Sequence, residues 1–387
     1  MHIKEVSAES ILDSRKEETI LVAIKTNVGD FSASSPSGKS TGKYEVKPYK
    51  KNIDDDIRRI KEFSEYFSDE KFEKFDDLKK AEDIIKGHIG ANSLFAFESC
   101  ILKGMAKEAK KEIWQFINKN ANRFPRLVGN AIGGGKHSNT EGRKPDFQEF
   151  LLIPKREKIR EQLEKMKSLK KDFEHELKSK DEKFEGKKND ENAWQTSLNE
   201  KEVFEVMENS GMNTGVDVAA SSFYKRKKYH YENPKLDRTK EEQIEYIKNL
   251  IKNFKLFYIE DPFEEEDFES FAELLKSFPG SLIVGDDLTV TSPKRLKKAV
   301  EKKSINAIIV KPNQIGSLIE VNEVCEIAKK NRIKIIFSHR SGETEENILA
   351  DLAFGFGADF FKCGIDGKER ESKIKRLIEI EMKVKLV

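Results

Sequence analysis

FYIEDPF at 257–263, LIVGDDL at 282–288, AIIVKPN at 307–313, KIIFSHR at 334–340 and ADFFKCG at 358–364 repeat one phrase. Each is a short apolar run that ends in charged residues and leads into an amphipathic helical segment. From Glu260 to Asp286, Lys311, His339 and Lys362 the steps are 26, 25, 28 and 23 residues, the length of one strand, one turn and one helix. LIV and AIIV are apolar at consecutive positions, as in strands covered on both faces. An earlier run of the same kind, TGVDVAAS at 214–221, carries Asp217. A parallel sheet whose polar side chains all leave its C-terminal edge predicts an α/β fold, a (β/α)8 barrel of the TIM type, in which that edge forms the active site. An open doubly wound sheet is the rival, but no dinucleotide fingerprint opens any unit.

The chain has 387 residues, enough for a barrel of about 250 residues and a smaller domain. Lys and Arg number 72 against 70 Asp and Glu, a net charge of +2, which removes any electrostatic case for nucleic acid as a partner. Cys100, Cys325 and Cys363 are too few and too scattered for a disulfide framework or a zinc site. No stretch resembles a signal peptide, and no apolar run approaches the ~18 residues that span a bilayer. The expectation is a cytoplasmic protein with no membrane partner.

Residues 1–123 read as a separate α+β unit capping a barrel over 124–387. Runs at 19–26 and 30–34 are joined across Asn27-Val28-Gly29, a hairpin signal, and helical patterns follow at 53–67, 72–86 and 92–117. Between them, Gly38-Lys39-Ser40 looks like the end of a phosphate-binding loop, but Ala33 stands where that motif needs its first Gly. The glycine-rich run from Asn130 to Ser138 fails the same test at Asn130. Gln148 and Glu149 precede an apolar run that Pro154 ends, a strand. Residues 155–185 are almost wholly charged with a thin apolar stripe, read as a solvated, projecting helix that becomes flexible over 178–189. Further helices are expected at 202–210 and 240–254.

A barrel rim would bring together Asp217, Glu260 and Asp286 from three strands. At about 5 Å apart each pair repels by about 3 kcal/mol at an effective dielectric near 20, so something cationic must sit among them. Oxygen ligands without His or Cys favour a hard ion, Mg2+ before Zn2+. Lys311 and Lys362 lie on later strands of the same rim, where a neighbouring divalent cation is expected to depress a lysine's pKa. A lysine base beside a metal suits proton abstraction next to a carboxylate. Ser338-His339-Arg340-Ser341 adds a forked cation and hydroxyls suited to a second anionic group such as phosphate.

These residues resemble those of the enolase family. The likeness runs through LDSR at 12–15, PSGKSTGKYE at 36–45, QEF at 148–150 and DVAASSFY at 217–224. It is closer in IEDPF at 259–263, GDDLTVTSPKR at 285–295, VKPNQIGS at 310–317 and SHRSGETE at 338–345. The resemblance implies a cap domain on a barrel of irregular strand order, two Mg2+ ions, a homodimer, and interconversion of 2-phosphoglycerate with phosphoenolpyruvate and water. It implies that Asp217, Glu260 and Asp286 hold the first ion and that Ser40, on a mobile loop, reaches the second. Lys311 is then the base at carbon 2, Lys362 holds the substrate carboxylate, and Glu191, assisted by Glu149 with Gln148 nearby, protonates the departing hydroxyl. Arg340 and Ser341 bind phosphate, His137 closes over it, and His339 shares the pocket.

Departures from the family pattern concentrate around the acid. The family's Gly-Asp-Glu-Gly-Gly is Asn189-Asp190-Glu191-Asn192-Ala193 here, which restricts the backbone. The Gly-Asn-Pro after LDSR is Lys16-Glu17-Glu18, the Asn before the Gly-Gly of the glycine-rich loop is Gly133, and the Ser before its His is Lys136. An active enolase is the first expectation. An enolase-like binding module without turnover, or a related lyase or racemase on another carboxylate, are the alternatives.

Overall fold

The computed structural model describes residues 1–39, 42–140 and 142–384, so Ser40 lies outside the described residues. Three antiparallel strands open the chain: β1 (Ile3–Leu12), β2 (Glu18–Thr26) and β3 (Gly29–Ser34). The turn between β2 and β3 uses Gly29 at φ 133°, a conformation that L side chains resist. Helices Ile53–Glu62, Leu78–Ile85 and Ala91–Glu108 cover this sheet. The continuous helix expected over 92–117 is two: Lys110 turns left-handed at φ 53°, and the separate Ile113–Ile117 helix crosses onto Ile348–Gly355, where Trp114 meets Phe354 edge-on at 5.1 Å. Tertiary packing overrides the local helical period there.

Eight further strands form the barrel: β4 (Arg126–Gly133), β5 (Glu149–Ile153), β6 (Asn213–Asp217), β7 (Tyr258–Glu260), β8 (Leu282–Gly285), β9 (Ala307–Val310), β10 (Lys334–Ser338) and β11 (Phe360–Lys362). Parallel pairing of β11 with β4, Lys362 opposite Val128, closes the ring and excludes the open sheet. One strand departs from the expected parallel order: β5 runs antiparallel to both β4 and β6. Among the described residues only the short 3-10 helix Gly135–His137 lies between β4 and β5, so the chain returns as a long hairpin instead of an α-helical crossover. The run from Asn130 to Ser138, read as a loop, is strand as far as Gly133; every residue from Leu127 to Gly133 is buried.

Side-chain parity places the site. Val128, Tyr258, Val284, Ile309, Ile336 and Phe360 fill the barrel's interior, and alternate residues of a strand share a face. Two residues further along these strands come Asn130, Glu260, Asp286, Lys311, Ser338 and Lys362. Because β5 is reversed, the same step is taken backwards from interior Leu151 to Glu149. Each polar residue therefore continues the inward row and emerges on one rim.

The charged segment from 155 onward does not project. Its helix, Ile159–Lys180, buries Ile159, Met166, Lys170, Phe173 and Leu177 against the barrel wall. The stretch after it is tied down by Asp181, which accepts from Thr196 Oγ1 at 2.6 Å, Ser197 Oγ at 2.6 Å and Ser197 N–H at 2.8 Å. Helix Lys240–Phe254 has the expected limits and starts on a reciprocal Thr239–Glu242 cap. Among the described residues no helix is long and apolar enough to cross a membrane.

Candidate active site

The C-terminal rim surrounds a cavity of about 470 Å³. His137, Gln148, Glu149, Glu191, Asp217, Asp286, Lys311, Ser338, His339, Arg340, Ser341 and Lys362 line it, with Asp261 and Asp287, which sequence reasoning passed over. Glu260 lies behind them, fully buried.

The cation among the strand-end acids is a lysine ammonium. Lys362 Nζ lies 2.8 Å from Glu260 Oε2, 2.9 Å from Glu149 Oε2 and 3.2 Å from Asp217 Oδ2. Lys311 Nζ donates to Asp286 Oδ2, whose other oxygen accepts from Gln314 Nε2 at 3.1 Å. Burial lowers both lysines, but the surrounding carboxylates outweigh it: Lys362 is held well above its ordinary pKa, chiefly by Glu149 and Glu260, and Lys311 is raised by Asp286. The depressed lysine pKa expected from the sequence belongs to the arrangement with a divalent cation among these acids.

The acids remain in excess. Burial pushes the Asp217 carboxyl up to about 7 in spite of Lys362, and burial with Asp286 alongside takes Asp287 to about 7. Glu260 and Asp261 are raised well above the carboxylate range, by burial first and then by Asp217 and Asp287 respectively. Asp286 is lowered, because Lys311 overcomes its burial. Asp261 takes φ 40° directly after β7, and its two oxygens accept the N–H groups of Asp286 at 3.0 Å and Asp287 at 2.6 Å. That backbone strain is offset by bonds that hold the acidic edge of β8. Glu260 Oε1 is buried without a hydrogen-bond partner. Seven carboxyl groups (Glu149, Glu191, Asp217, Glu260, Asp261, Asp286, Asp287) outnumber the cations around them, Lys311, Lys362, Arg340 and Arg370. An all-oxygen donor set with that deficit and an unpartnered buried oxygen fits hard divalent cations. Asp261, Asp286 and Asp287 each offer an oxygen within 4.8 Å of the others.

Across the cavity the groups are imidazoles and glutamates. His137 Nδ1 is 3.5 Å from Glu149 Oε1 and 3.6 Å from Glu191 Oε1, and His339 Nε2 is 3.8 Å from Glu191 Oε1. Asn130 Nδ2 donates to Glu191 Oε2 at 3.1 Å. Burial raises Glu191, but His137 and Arg370 bring it below its ordinary value, so it is a carboxylate here; burial keeps His339 neutral. Asn192 stands at φ 62° beside Glu191, a conformation that Asn tolerates better than other side chains. The loop thus keeps its left-handed position without glycine.

The cap completes the rim. Arg340 pairs with Glu45 at 3.0 Å and donates to Asn313 Oδ1 at 3.3 Å, and Ser341 Oγ accepts the Lys39 N–H at 2.8 Å. Ser37 and Gly342 exchange backbone hydrogen bonds at 2.7 and 2.9 Å. Residues 35–39 are thereby fastened to the barrel, and Lys39 Nζ reaches Asp190 Oδ2 at 3.0 Å.

A capped barrel with acids and two lysines on its C-terminal rim defines a metal-dependent barrel enzyme for small acids. Residues 122–386 match the family described as "Enolase, C-terminal TIM barrel domain". The chain is 35% identical over 403 residues to the enolase of Methanosphaera stadtmanae, covering 98% of this chain and 96% of that protein. It is 36% identical over 411 residues to the enolase of Pyrobaculum aerophilum, with the same coverage, and 33% identical over 397 residues to that of Thermoplasma acidophilum, covering 98% of each. The chain belongs to the enolase family.

Proposed function

We propose that the protein is a carbon–oxygen hydro-lyase that interconverts 2-phospho-D-glycerate with phosphoenolpyruvate and water, the enolase step of glycolysis and gluconeogenesis. The observation that carries this reading is the division of one cavity into a lysine–carboxylate side and a glutamate–imidazole side. β9, which carries Lys311, and β4, beside which Glu191 lies, are three strands apart in a ring of eight. One substrate can therefore meet a base and an acid on different faces.

Lys311 takes the proton from carbon 2, and the electron pair passes toward the carboxylate. Asp286 raises the Lys311 pKa, so Lys311 serves as a base once Asp286 is engaged elsewhere, as its place among the metal-holding residues requires. Asp217, Glu260 and Asp286 would hold Mg2+, with Asp261 and Asp287 beside them on the cavity wall, and Ser40 is assigned to a second ion. When bound, Mg2+ supplies positive charge to the substrate carboxylate as it becomes a dianion. The excess of carboxyl groups over cations suits such ions, and two of them are what the family resemblance implies. Lys362 faces the substrate carboxylate, and Arg340, Ser341 and His137 take the phosphate. The carbon 3–oxygen bond then breaks as Glu191, which must first take up a proton from water, delivers it to the departing hydroxyl, with Glu149, Gln148 and His339 around it. In the hydration direction Glu191, ionised as it is here, accepts that proton from water.

A division into a cap over 1–123 and a barrel over 124–387, a homodimer, and a cytoplasmic location accompany this proposal; the homodimer rests on the family resemblance. The test is the ultraviolet absorbance of phosphoenolpyruvate formed from 2-phosphoglycerate, with Mg2+ and after its removal by EDTA. Metal-dependent formation supports the reading. Its absence in fresh protein with Mg2+ would leave the binding-module alternative, and activity retained in EDTA would end the metal-dependent one.

A further inference from the structure

The loop that presents Glu191 is held by a side chain inside the loop itself. Asn189 is buried, and its Oδ1 accepts the backbone N–H of Glu191 at 3.0 Å and of Ala193 at 2.9 Å. Its own N–H donates to Ala193 O at 2.9 Å, and its carbonyl accepts from Asn192 N–H at 2.9 Å. Both ends of a five-residue loop are thereby tied to one residue, with Glu191 at its centre.

This arrangement needs empty space on β4. A Cβ built on Gly133 would stand 2.2 Å from Asn189 Nδ2 and 3.2 Å from Asn189 Cγ, well inside any real contact. The Asn189 amide fills the place where a side chain at 133 would go. Asn192 repeats the device: its Nδ2 would lie 2.4 Å from a Cβ on Gly367. From below, buried Lys170 donates to Asn192 O and pairs with Asp366, while its own carbonyl accepts from Trp194 Nε1 at 2.8 Å. Two asparagines keyed into two glycines, and a lysine from the charged helix, therefore replace conformational freedom with fixed bonds around the acid.

We propose that Asn189, seated in the gap left by Gly133, is a positioning residue that aims Glu191 at the departing hydroxyl. This rests on the reading of Glu191 as the proton donor. It acts through backbone atoms only, because Asn189 touches the N–H of Glu191 and not its carboxyl group, and a displacement near 1 Å at a reacting group costs on the order of 10²-fold in rate.

The experiment follows two steps of one reaction by NMR in D2O with Mg2+: exchange of the carbon-2 proton of 2-phosphoglycerate, which needs Lys311, and formation of phosphoenolpyruvate, which also needs Glu191. Asn189→Ala is expected to slow dehydration by about 10- to 100-fold while exchange continues near the wild-type rate. Asn189→Asp, which keeps the accepting oxygen, is expected to restore most of the dehydration. Gly133→Ala should reproduce the Asn189→Ala defect by collision, and the double variant Gly133→Ala/Asn189→Ala should be no slower than Asn189→Ala alone. Equal loss of exchange and dehydration in Asn189→Ala, or no loss of either, would overturn the positioning role. Glu191→Gln run in parallel separates the two levels: unimpaired dehydration there removes Glu191 as the donor and the proposal with it. Dehydration unimpaired in Asn189→Ala alone removes only the role of Asn189.

Discussion

The two sides of the cavity are built in opposite ways. On the lysine–carboxylate side, Glu260, Asp286, Lys311 and Lys362 sit on or next to the ends of strands and continue an inward-facing row already fixed by buried Tyr258, Val284, Ile309 and Phe360. On the glutamate–imidazole side, Glu191 stands on an irregular segment, placed by Asn130, Asn189, Lys170 and Arg370 from four different parts of the chain. Strands hold their side chains through ladder geometry that any apolar run can supply, whereas a loop holds its side chain only through the particular partners it meets. Damage to the first side should therefore act through chemistry and charge, and damage to the second through position.

The largest expected effect tests the strand side. Lys311→Ala removes a base and leaves the ladder intact, so turnover should fall by about 10⁴-fold or more, with an unchanged circular dichroism spectrum and retained Mg2+ binding. A variant with a tenth of wild-type activity would exclude Lys311 from the mechanism. On the loop side, Glu191→Gln should lower phosphoenolpyruvate formation by about 10²- to 10⁴-fold while carbon-2 exchange survives, since the first proton leaves from the opposite face. Loss of exchange as well would mean that the two sides do not work independently.

Asp286→Asn should act more weakly and mainly on metal. Losing one carboxylate of the set is expected to raise the Mg2+ concentration for half-maximal activity by about 10- to 100-fold, read by titrating EDTA-treated protein. An unchanged titration would remove Asp286 from the set that holds the ion.

The smallest effect is on stability against pH. Asp217 and Asp287, near 7 in the fold and at 3.8 when unperturbed, keep protons that the unfolded chain has already released. Stability of the EDTA-treated protein should therefore fall as pH rises from about 4 to about 7. His339, lowered by burial and by Arg370, contributes the opposite slope below its ordinary 6.5, so the carboxyl share is read by difference. Asp287→Asn should flatten the decline in thermal midpoint between pH 5 and pH 8, and Mg2+ should restore the wild type at pH 8. A steeper decline in Asp287→Asn would contradict the excess of buried acid.

How much could be read before folding follows the same division. The strand-end residues were legible because each lies at the polar end of an apolar run, and a run that short between helical segments has few alternatives. Asp261 and Asp287 carried the same signal, one position along from Glu260 and Asp286, but strand parity assigns them to the other face. The φ of 40° at Asp261 turns the chain at the rim, where its two oxygens accept the N–H groups of Asp286 and Asp287. Glu191 was reached through family likeness and not through any periodicity. The charged helix at 155–185 looked solvated because its polar residues outnumber its apolar stripe, and Lys170 could not be told from the surface lysines around it.

By itself, then, the sequence determined a closed sheet of strand–helix units with acids and lysines along one edge, because hydrophobic periodicity and the two-residue alternation of a strand are local properties that burial amplifies. Tertiary structure alone decided that β5 runs backwards, so that Glu149 arrives from the start of a strand and not its end. It alone decided that the ammonium of Lys362 fills the space between Glu149, Asp217 and Glu260, and that Asn189 takes the volume Gly133 leaves open. These are matters of volume and charge between residues distant in the chain. Their energies depend on separations of a few ångströms that no local pattern encodes.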